Sequence, residues 1–213
     1  EAELYAASGT PNNSAINFAA YTQFDKKLLE VINASLGMRY EYFQINDQEF
    51  VVKPVFRGGI NFKAGKETYL RYSYGQGYRF PTIAEKYIQT NAGGLGVFPN
   101  PNLKPETSWN AEVGIKQGVK IGAFFGYLDI AGFWQEYSNA MQYVFAVWTP
   151  ITQGFQPGFK FVNSGDIQVR GIDISLLGHG KFNEDFGMNL LAGYTLTKPV
   201  SLNPNETYAT DST

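Results

Sequence analysis

The sequence predicts an all-β chain of antiparallel, up-and-down strands with the character of a transmembrane β-barrel. Three observations carry that expectation. Apolar and polar residues alternate with a period of two along much of the 213 residues, connections sort into short turns and long loops, and aromatic residues are abundant.

Eight strands are expected, over 14–25, 28–45, 51–63, 67–78, 108–117, 121–137, 163–178 and 186–197. In the second, Ile32, Ala34, Leu36, Met38, Tyr40 and Tyr42 share one face, and Asn33, Ser35, Gly37, Arg39 and Glu41 the other. In the fourth, Leu70, Tyr72 and Tyr74 oppose Arg71, Ser73, Gly75 and Gly77. Trp109, Ala111, Val113 and Ile115 oppose Asn110, Glu112, Gly114 and Lys116 in the fifth. The sixth is the least regular, because Phe125, Tyr127 and Phe133 fall on its polar face. Ile172, Ile174 and Leu176 oppose Gly171, Asp173 and Ser175 in the seventh. In the last, Met188, Leu190, Ala192 and Tyr194 oppose Asn189, Gly193 and Thr195, with Leu191 as an exception.

A soluble sandwich shows the same alternation, so the connections discriminate. The short ones are Asp25-Lys26-Lys27, Ala64-Gly65-Lys66, Gln117-Gly118-Val119-Lys120 and, a little longer, Gly178 to Asp185. The others are 79–107, 138–162 and the open stretches 1–13 and 198–213, with Asn46 to Phe50 as the short member. Tight turns on one rim and long loops on the other are the arrangement of membrane barrels. Polar intruders on the apolar face (Gln44, Glu136, Gln168 and Arg170) fall at strand ends on the long-loop side. Tyr40, Tyr42, Tyr78, Trp109 and Trp134 lie near the same level, as an interfacial aromatic girdle does.

Composition agrees. Fourteen Tyr and 17 Phe suit a girdle, and 23 Gly with 10 Pro suit many turns. A net charge of −2 with no basic stripe argues against nucleic-acid binding. The absence of Cys excludes disulfides and thiolate metal sites. The best apolar stretch, Ala123 to Trp134, contains Asp129, so no helical span is expected. Barrel strands need only about 9–11 residues.

Residues Tyr69 to Gly114 carry the most distinctive pattern. Taken singly, Gly77-Tyr78-Arg79-Phe80-Pro81 is a strand end stopped by proline, and Asn100-Pro101 and Lys104-Pro105 are turn punctuation. In combination they are specific. Ser73-Tyr74-Gly75-Gln76-Gly77-Tyr78-Arg79-Phe80-Pro81-Thr82 is followed by Ala84-Glu85-Lys86-Tyr87, then Asn100-Pro101-Asn102-Leu103-Lys104-Pro105-Glu106-Thr107-Ser108, then Glu112-Val113-Gly114. Phe133-Trp134-Gln135-Glu136-Tyr137, Phe161-Val162-Asn163-Ser164-Gly165 and Val169-Arg170-Gly171-Ile172-Asp173-Ile174 continue the series. Over about residues 30 to 197 the chain resembles the barrel of TonB-dependent outer-membrane receptors.

The resemblance implies a barrel of about 22 strands, of which residues 1–213 supply four hairpins as one partial barrel domain. The plug domain and the remaining strands are expected outside these residues; an independent eight-stranded barrel is the alternative. It implies outer-membrane lipid as surroundings, coupling to the TonB complex through the plug, and a small-molecule or oligosaccharide ligand. Arg79, Phe80, Pro81, Glu85, Asn100, Pro101, Leu103, Pro105 and Glu106 are expected to be structural. Arg79 would pair with Glu85 or Glu106 through its planar fork and pin the loop. Arg39, Glu41, Arg57, Asn61, Arg71, Glu112, Lys116, Asp129 and Asp173 are expected to face the lumen, where they meet the plug or solvate the interior. Phe98, Trp148, Phe155 and Phe159 are the candidate ligand contacts.

A ferric siderophore or other iron complex is the default cargo on family frequency. A glycan importer with a surface lipoprotein, a passive porin and an adhesin are the alternatives. Catalysis, a cofactor and a bound metal are not expected. His179, the single histidine, reads as an exposed residue of the turn 177–181, and no phosphate-cradling loop or metal-ligand spacing occurs.

Overall fold

The computed structural model describes residues 4, 9, 12–46, 49–92, 94–148 and 157–204. In chain order the elements are β1 (Ala15–Leu28), β2 (Ile32–Ile45), β3 (Glu49–Lys63), β4 (Thr68–Arg79), α1 (Ile83–Tyr87), β5 (Thr90–Ala92), β6 (Leu95–Phe98), β7 (Glu106–Ile121), β8 (Phe124–Ser138), β9 (Met141–Val147), β10 (Pro157–Asn163), β11 (Ile167–Lys181) and β12 (Gly187–Ser201). The long strands form an eight-stranded sheet in the order β1-β2-β3-β4-β7-β8-β11-β12, each antiparallel to its neighbours. Spatial order follows chain order, as in an up-and-down barrel wall.

The register assigns each residue to a face, because side chains alternate. One row reads Ala34, Ile60, Tyr72, Val113, Gly132, Ile172, Leu196 across the sheet. The adjacent row on the other face reads Asn33, Asn61, Arg71, Gly114, Ala131, Asp173, Thr195. The apolar face is bare: Phe18, Phe24, Leu36, Phe56, Val113, Ile172, Tyr194 and Leu196 are all exposed. A patch of this extent marks a surface that meets something other than water. Tight packing sits instead at the long-loop rim, around Ile45, Tyr87, Leu103, Ala140 and Trp148.

That rim holds structure that alternation does not foretell. The predicted loop 79–107 contains α1, β5 and β6, and the predicted loop 138–162 contains β9 and β10. The four short strands form a second sheet in the order β5-β6-β10-β9, in which β6 and β10 pair in parallel. Of residues 163–166, expected to open the seventh strand, Asn163 ends β10 and 164–166 form the connection before β11.

The opposite rim corrects several turn positions. Asp25, Lys26 and Lys27 lie inside β1, where alternation continues to Leu28. The chain reverses at Leu29-Glu30-Val31, with Leu29 and Glu30 at φ 51° and 58°. Residues 117–120 belong to β7, and Ile121 pairs directly with Phe124. Gly122 makes that reversal at φ 57°, a conformation open to glycine, so β8 begins at Phe124 rather than 121. His179 lies within β11, opposite Phe125 and Asn189, and the turn follows at 182–186. Its flanking glycine is a packing feature: a Cβ on Gly178 would lie 2.2 Å from Phe124 Cζ and 2.7 Å from the Phe125 carbonyl oxygen.

Candidate functional site

The polar face carries two ion-paired clusters, Arg39–Glu41 and Arg71 with Glu112 and Asp129, among charges held by uncharged neighbours. Its candidates Arg39, Glu41, Arg57, Asn61, Arg71, Glu112, Lys116, Asp129 and Asp173 all fall on this one face. Arg71 stands at the centre of one cluster. Its Nε donates to Glu112 Oε1 at 2.8 Å, and its Nη1 to both oxygens of Asp129 at 2.6 and 2.7 Å. Gly114, opposite Arg71, leaves the space the guanidinium fills; a Cβ there would lie 2.8 Å from Arg71 Cζ. Arg57 lies over Gly37 in the same way and donates to Gln23. Lys116 Nζ sits 4.6 Å from the Tyr127 ring centre, and Asp173 accepts from Thr195 Oγ1 at 2.9 Å.

Glu41 is the deepest charge on this wall, 6 % exposed. It accepts from Asn17 Nδ2 at 2.6 Å, Arg39 Nε at 2.8 Å and Tyr78 Oη at 2.6 Å. The last bond corrects the girdle expectation for Tyr78. The β3–β4 register stops at Arg57↔Gly75, so the upper end of β4 is free to swing across β3 to β2. Gln76 Oε1 stands in for a ladder acceptor there, receiving the Phe56 N–H at 3.2 Å. Phe80 follows Tyr78 and stacks on Phe43, ring centres 4.5 Å apart.

The loop motif builds the cap above this wall. Thr82 and Glu85 form a capping box at the start of α1: Thr82 Oγ1 accepts the Glu85 N–H, and Glu85 Oε2 accepts the Thr82 N–H at 2.8 Å. Arg79 Nη1 donates to the other Glu85 oxygen at 2.7 Å. Burial opposes ionisation of Glu85, yet the Thr82 backbone N–H and the Arg79 guanidinium outweigh it and hold this carboxyl below its usual range. Glu106 is engaged elsewhere, accepting the Met141 N–H at 3.0 Å. Pro81 is buried and Pro101 exposed in its turn, with Pro105 half-buried just before β7. Leu103 is 2 % exposed, an apolar peg of the cap.

Asparagines knit the two long loops together. Asn100 Nδ2 donates to the Phe161 carbonyl at 2.8 Å. Asn163 Oδ1 accepts the Lys104 N–H at 2.9 Å, while its Nδ2 donates to the Lys104 and Asn139 carbonyls at 3.0 and 2.9 Å. Ser164 Oγ donates to the Ala140 carbonyl at 3.0 Å. The sequence reading left Asn163 and Ser164 without a role, and only their spacing before Gly165 marks them.

The candidate ligand contacts divide between the two faces of the loop sheet. Phe98 packs over Gly96 and Gly158 on one face. Trp148 lies on that face too, 7 % exposed, with its indole N–H on the Gly158 carbonyl at 3.0 Å and Lys160 Nζ 5.3 Å from its ring. Phe159 is on the other face, stacked on Tyr143 at 4.8 Å and tilted against Phe145 at 5.1 Å, and both partners are exposed. Phe155 lies outside the described residues. Sequence reasoning missed Tyr143 and Phe145 because β9 is apolar on both faces.

The irregular residues of the wall also have a place. Phe125, Tyr127, Leu177 and His179 line a cleft of ≈ 770 Å³ on the polar face near the short-turn rim. His179 stacks on Phe125 with ring centres 6.3 Å apart. Among the described residues, no group of three or more His, Asp or Glu is placed to hold a metal ion.

The family model described as TonB dependent receptor-like, beta-barrel matches residues 3–213, so the chain belongs to that family. No curated protein sequence matches it. The hemophore receptor HasR of Serratia marcescens, solved as a double mutant with its hemophore HasA and heme, is similar with a TM-score of 0.69 at 14 % identity over 85 % of this chain. The siderophore receptor PirA of Pseudomonas aeruginosa gives 0.64 at 18 % identity over 86 %. The ferric enterobactin receptor PfeA of Pseudomonas aeruginosa, solved as its G324V mutant, gives 0.60 at 15 % over 85 %. The chain spans 34 % of the length of the first two and 27 % of the third. The eight-stranded sheet is thus a section of a receptor barrel wall.

Proposed function

We propose that this wall section belongs to an outer-membrane receptor that takes up a scarce nutrient in a TonB-coupled cycle, with a ferric siderophore or another iron complex as cargo. The observation that carries the reading is the one-sided rim. Every described folded loop element lies at one end of the strands, together with the short β2–β3 connection, and the four turns 29–31, 64–67, 122–123 and 182–186 lie at the other, which is how a barrel presents a capture surface outward and a plain edge inward.

In this reading the bare apolar face meets lipid and the polar face lines the lumen. The lumen candidates, of which Arg39, Glu41, Arg71, Glu112 and Asp129 are ion-paired, offer spare lone pairs and donors to a plug domain in the rest of the receptor. The Arg79–Glu85 pair, Asn100, Leu103 and Asn163 keep the cap rigid, while Tyr143, Phe145 and Phe159, with Phe98 and Phe155, supply aromatic surface to the ligand; Trp148, a candidate contact by sequence, is buried and serves the packing of the loop sheet. Iron is favoured over a glycan because heme, a siderophore and ferric enterobactin are named for the similar structures. No covalent step is assigned to any residue of the chain.

Uptake of radiolabelled iron complexes by cells with and without the receptor tests this. Uptake should require both the receptor and TonB. Uptake that persists without TonB would mean a passive porin. Receptor-dependent growth on an oligosaccharide, with no iron phenotype, would move the cargo to glycans.

A further inference from the structure

The apolar face carries few charges, and their placement is uneven. Among the described residues they are Lys26, near the short-turn rim, and Glu136, Arg170 and Lys198 toward the long-loop rim. Arg170 and Lys198 face each other directly across the β11–β12 ladder, and both are exposed. Like charges directly opposite in an antiparallel pair destabilise it. Neither makes an ion pair with any described residue.

The carboxylate on the same face is already engaged. Glu136 accepts from Trp109 Nε1 at 3.0 Å, Trp134 Nε1 at 3.2 Å and Gln168 Nε2 at 2.9 Å. Arg170 stands instead over the Trp134 ring, 5.9 Å from its centre. Glu136 therefore fixes the indole on which the guanidinium rests and leaves the outer edge of the fork unused. Toward the short-turn rim the same face turns apolar, through Ile172, Ile174, Tyr194 and Leu196. The two cations mark the upper border of that apolar band.

We infer that Arg170 and Lys198, with Trp134 as a floor, form a seat for the phosphate of an anionic lipid headgroup in the leaflet around the long-loop rim. At the border of the hydrocarbon layer, the anion that meets an outward-facing pair of cations is a lipid phosphate. Directly opposed residues have Cβ atoms about 4.5–5.5 Å apart, so both long side chains reach one phosphate. Arginine adds a bidentate fork. The inference rests on the membrane part of the proposed function and is independent of the cargo.

The test uses the receptor that carries this section, reconstituted in bilayers containing phosphatidic acid in phosphatidylcholine, with retained lipid counted by native mass spectrometry. Phosphatidic acid should be retained over phosphatidylcholine. Arg170→Gln and Lys198→Gln should each weaken retention about fivefold, and the double variant about twenty-fivefold. Arg170→Lys should keep most of it. Equal retention by the double variant and the wild type would overturn the site. Full displacement by inorganic phosphate would assign it to a free anion, and cross-linking of Lys198 to a carboxylate of a neighbouring strand would assign it to a protein ion pair. Heat-modifiable mobility reports insertion separately: a receptor that does not insert overturns the membrane reading, whereas one that inserts without lipid preference overturns only this site. Iron uptake by the variants should be unchanged.

Discussion

Replacing Asn163 tests whether the two long loops act as one cap. Its side chain makes three hydrogen bonds, one accepted from Lys104 and two donated to Lys104 and Asn139. At about 0.5–1.5 kcal/mol net for each, their sum is about 1.5–4.5 kcal/mol. The side chain is half-exposed, and water replaces part of that, so Asn163→Ala should cost the cap about 2 kcal/mol, about a thirtyfold rise in local opening. Hydrogen exchange by mass spectrometry on the receptor reads this directly. Peptides spanning 95–104 and 139–147 should lose protection, while those within β7, β8 and β11 keep theirs. Asn163→Asp retains the acceptor but turns a carboxylate oxygen towards the Lys104 and Asn139 carbonyls, so it should open the cap at least as much as Asn163→Ala. Gln142→Ala, on an exposed position of β9, is the control. Unchanged protection in both loop peptides would refute the knitting argument. Equal loss throughout the large sheet would refute the treatment of the cap as a separate unit.

Gly178→Ala should destabilise the wall by about 1–3 kcal/mol, because the added Cβ meets both a ring and backbone beside β8; an unaltered melting temperature would contradict the packing role of that glycine. Gly114→Ala should displace Arg71 from Glu112 and Asp129 without abolishing folding, since the obstructed atom ends a flexible side chain; double-mutant cycles with Asp129→Asn should then show the Arg71–Asp129 coupling reduced. Glu85 has a lowered pKa, so its stabilisation of the α1 turn is present above its usual value of 4.5 and is lost as the pH falls below 4.5 through the depressed value. Exchange protection of residues 82–88 should therefore decline in that acid window, and Glu85→Ala, which removes the acceptor, should be open already and flat with pH. A wild-type profile equally flat would contradict the capping-box pairing.

The long strands were legible because a sheet with one lipid-like and one polar face writes its register into the sequence. Ile32 to Tyr42 shows this cleanly. Turn positions were less legible. The charges of Asp25-Lys26-Lys27 resemble a solvated turn, but a two-faced wall places one lysine on each face at its rim. The glycine before His179 resembles a turn residue, yet it answers to the Phe124 ring on the next strand, a cross-strand cause that the local sequence does not display. The loop sheet was only partly legible. Gly93-Gly94 between β5 and β6 is a two-residue hairpin signal and Phe159 and Phe161 alternate along β10, but β6 joins β10 in parallel across a long separation, a pairing that no local signal announces. The capping box Thr82-x-x-Glu85 marks α1, which lies inside the expected loop 79–107.

Tyr78 shows why the distinctive motif sits where it does. By alternation it belongs with the girdle, and in the structure its hydroxyl is on Glu41. The β3–β4 ladder ends at Arg57↔Gly75, while β3 remains paired to β2 as far as Glu49. Above that point β3 and β4 no longer share a ladder. Tyr78 and Phe80 bridge the interval on the polar face, through Glu41 and the Phe43 ring, and Arg79 reaches forward to Glu85 between them. Adjacent residues thus fasten the wall to itself and the cap to the wall. Such a junction needs an aromatic hydroxyl, a cation and a ring in fixed succession, with Pro81 ending the strand. A composition-matched soluble sheet has no use for that succession, which is why Gly77-Tyr78-Arg79-Phe80-Pro81 is informative where alternation is not.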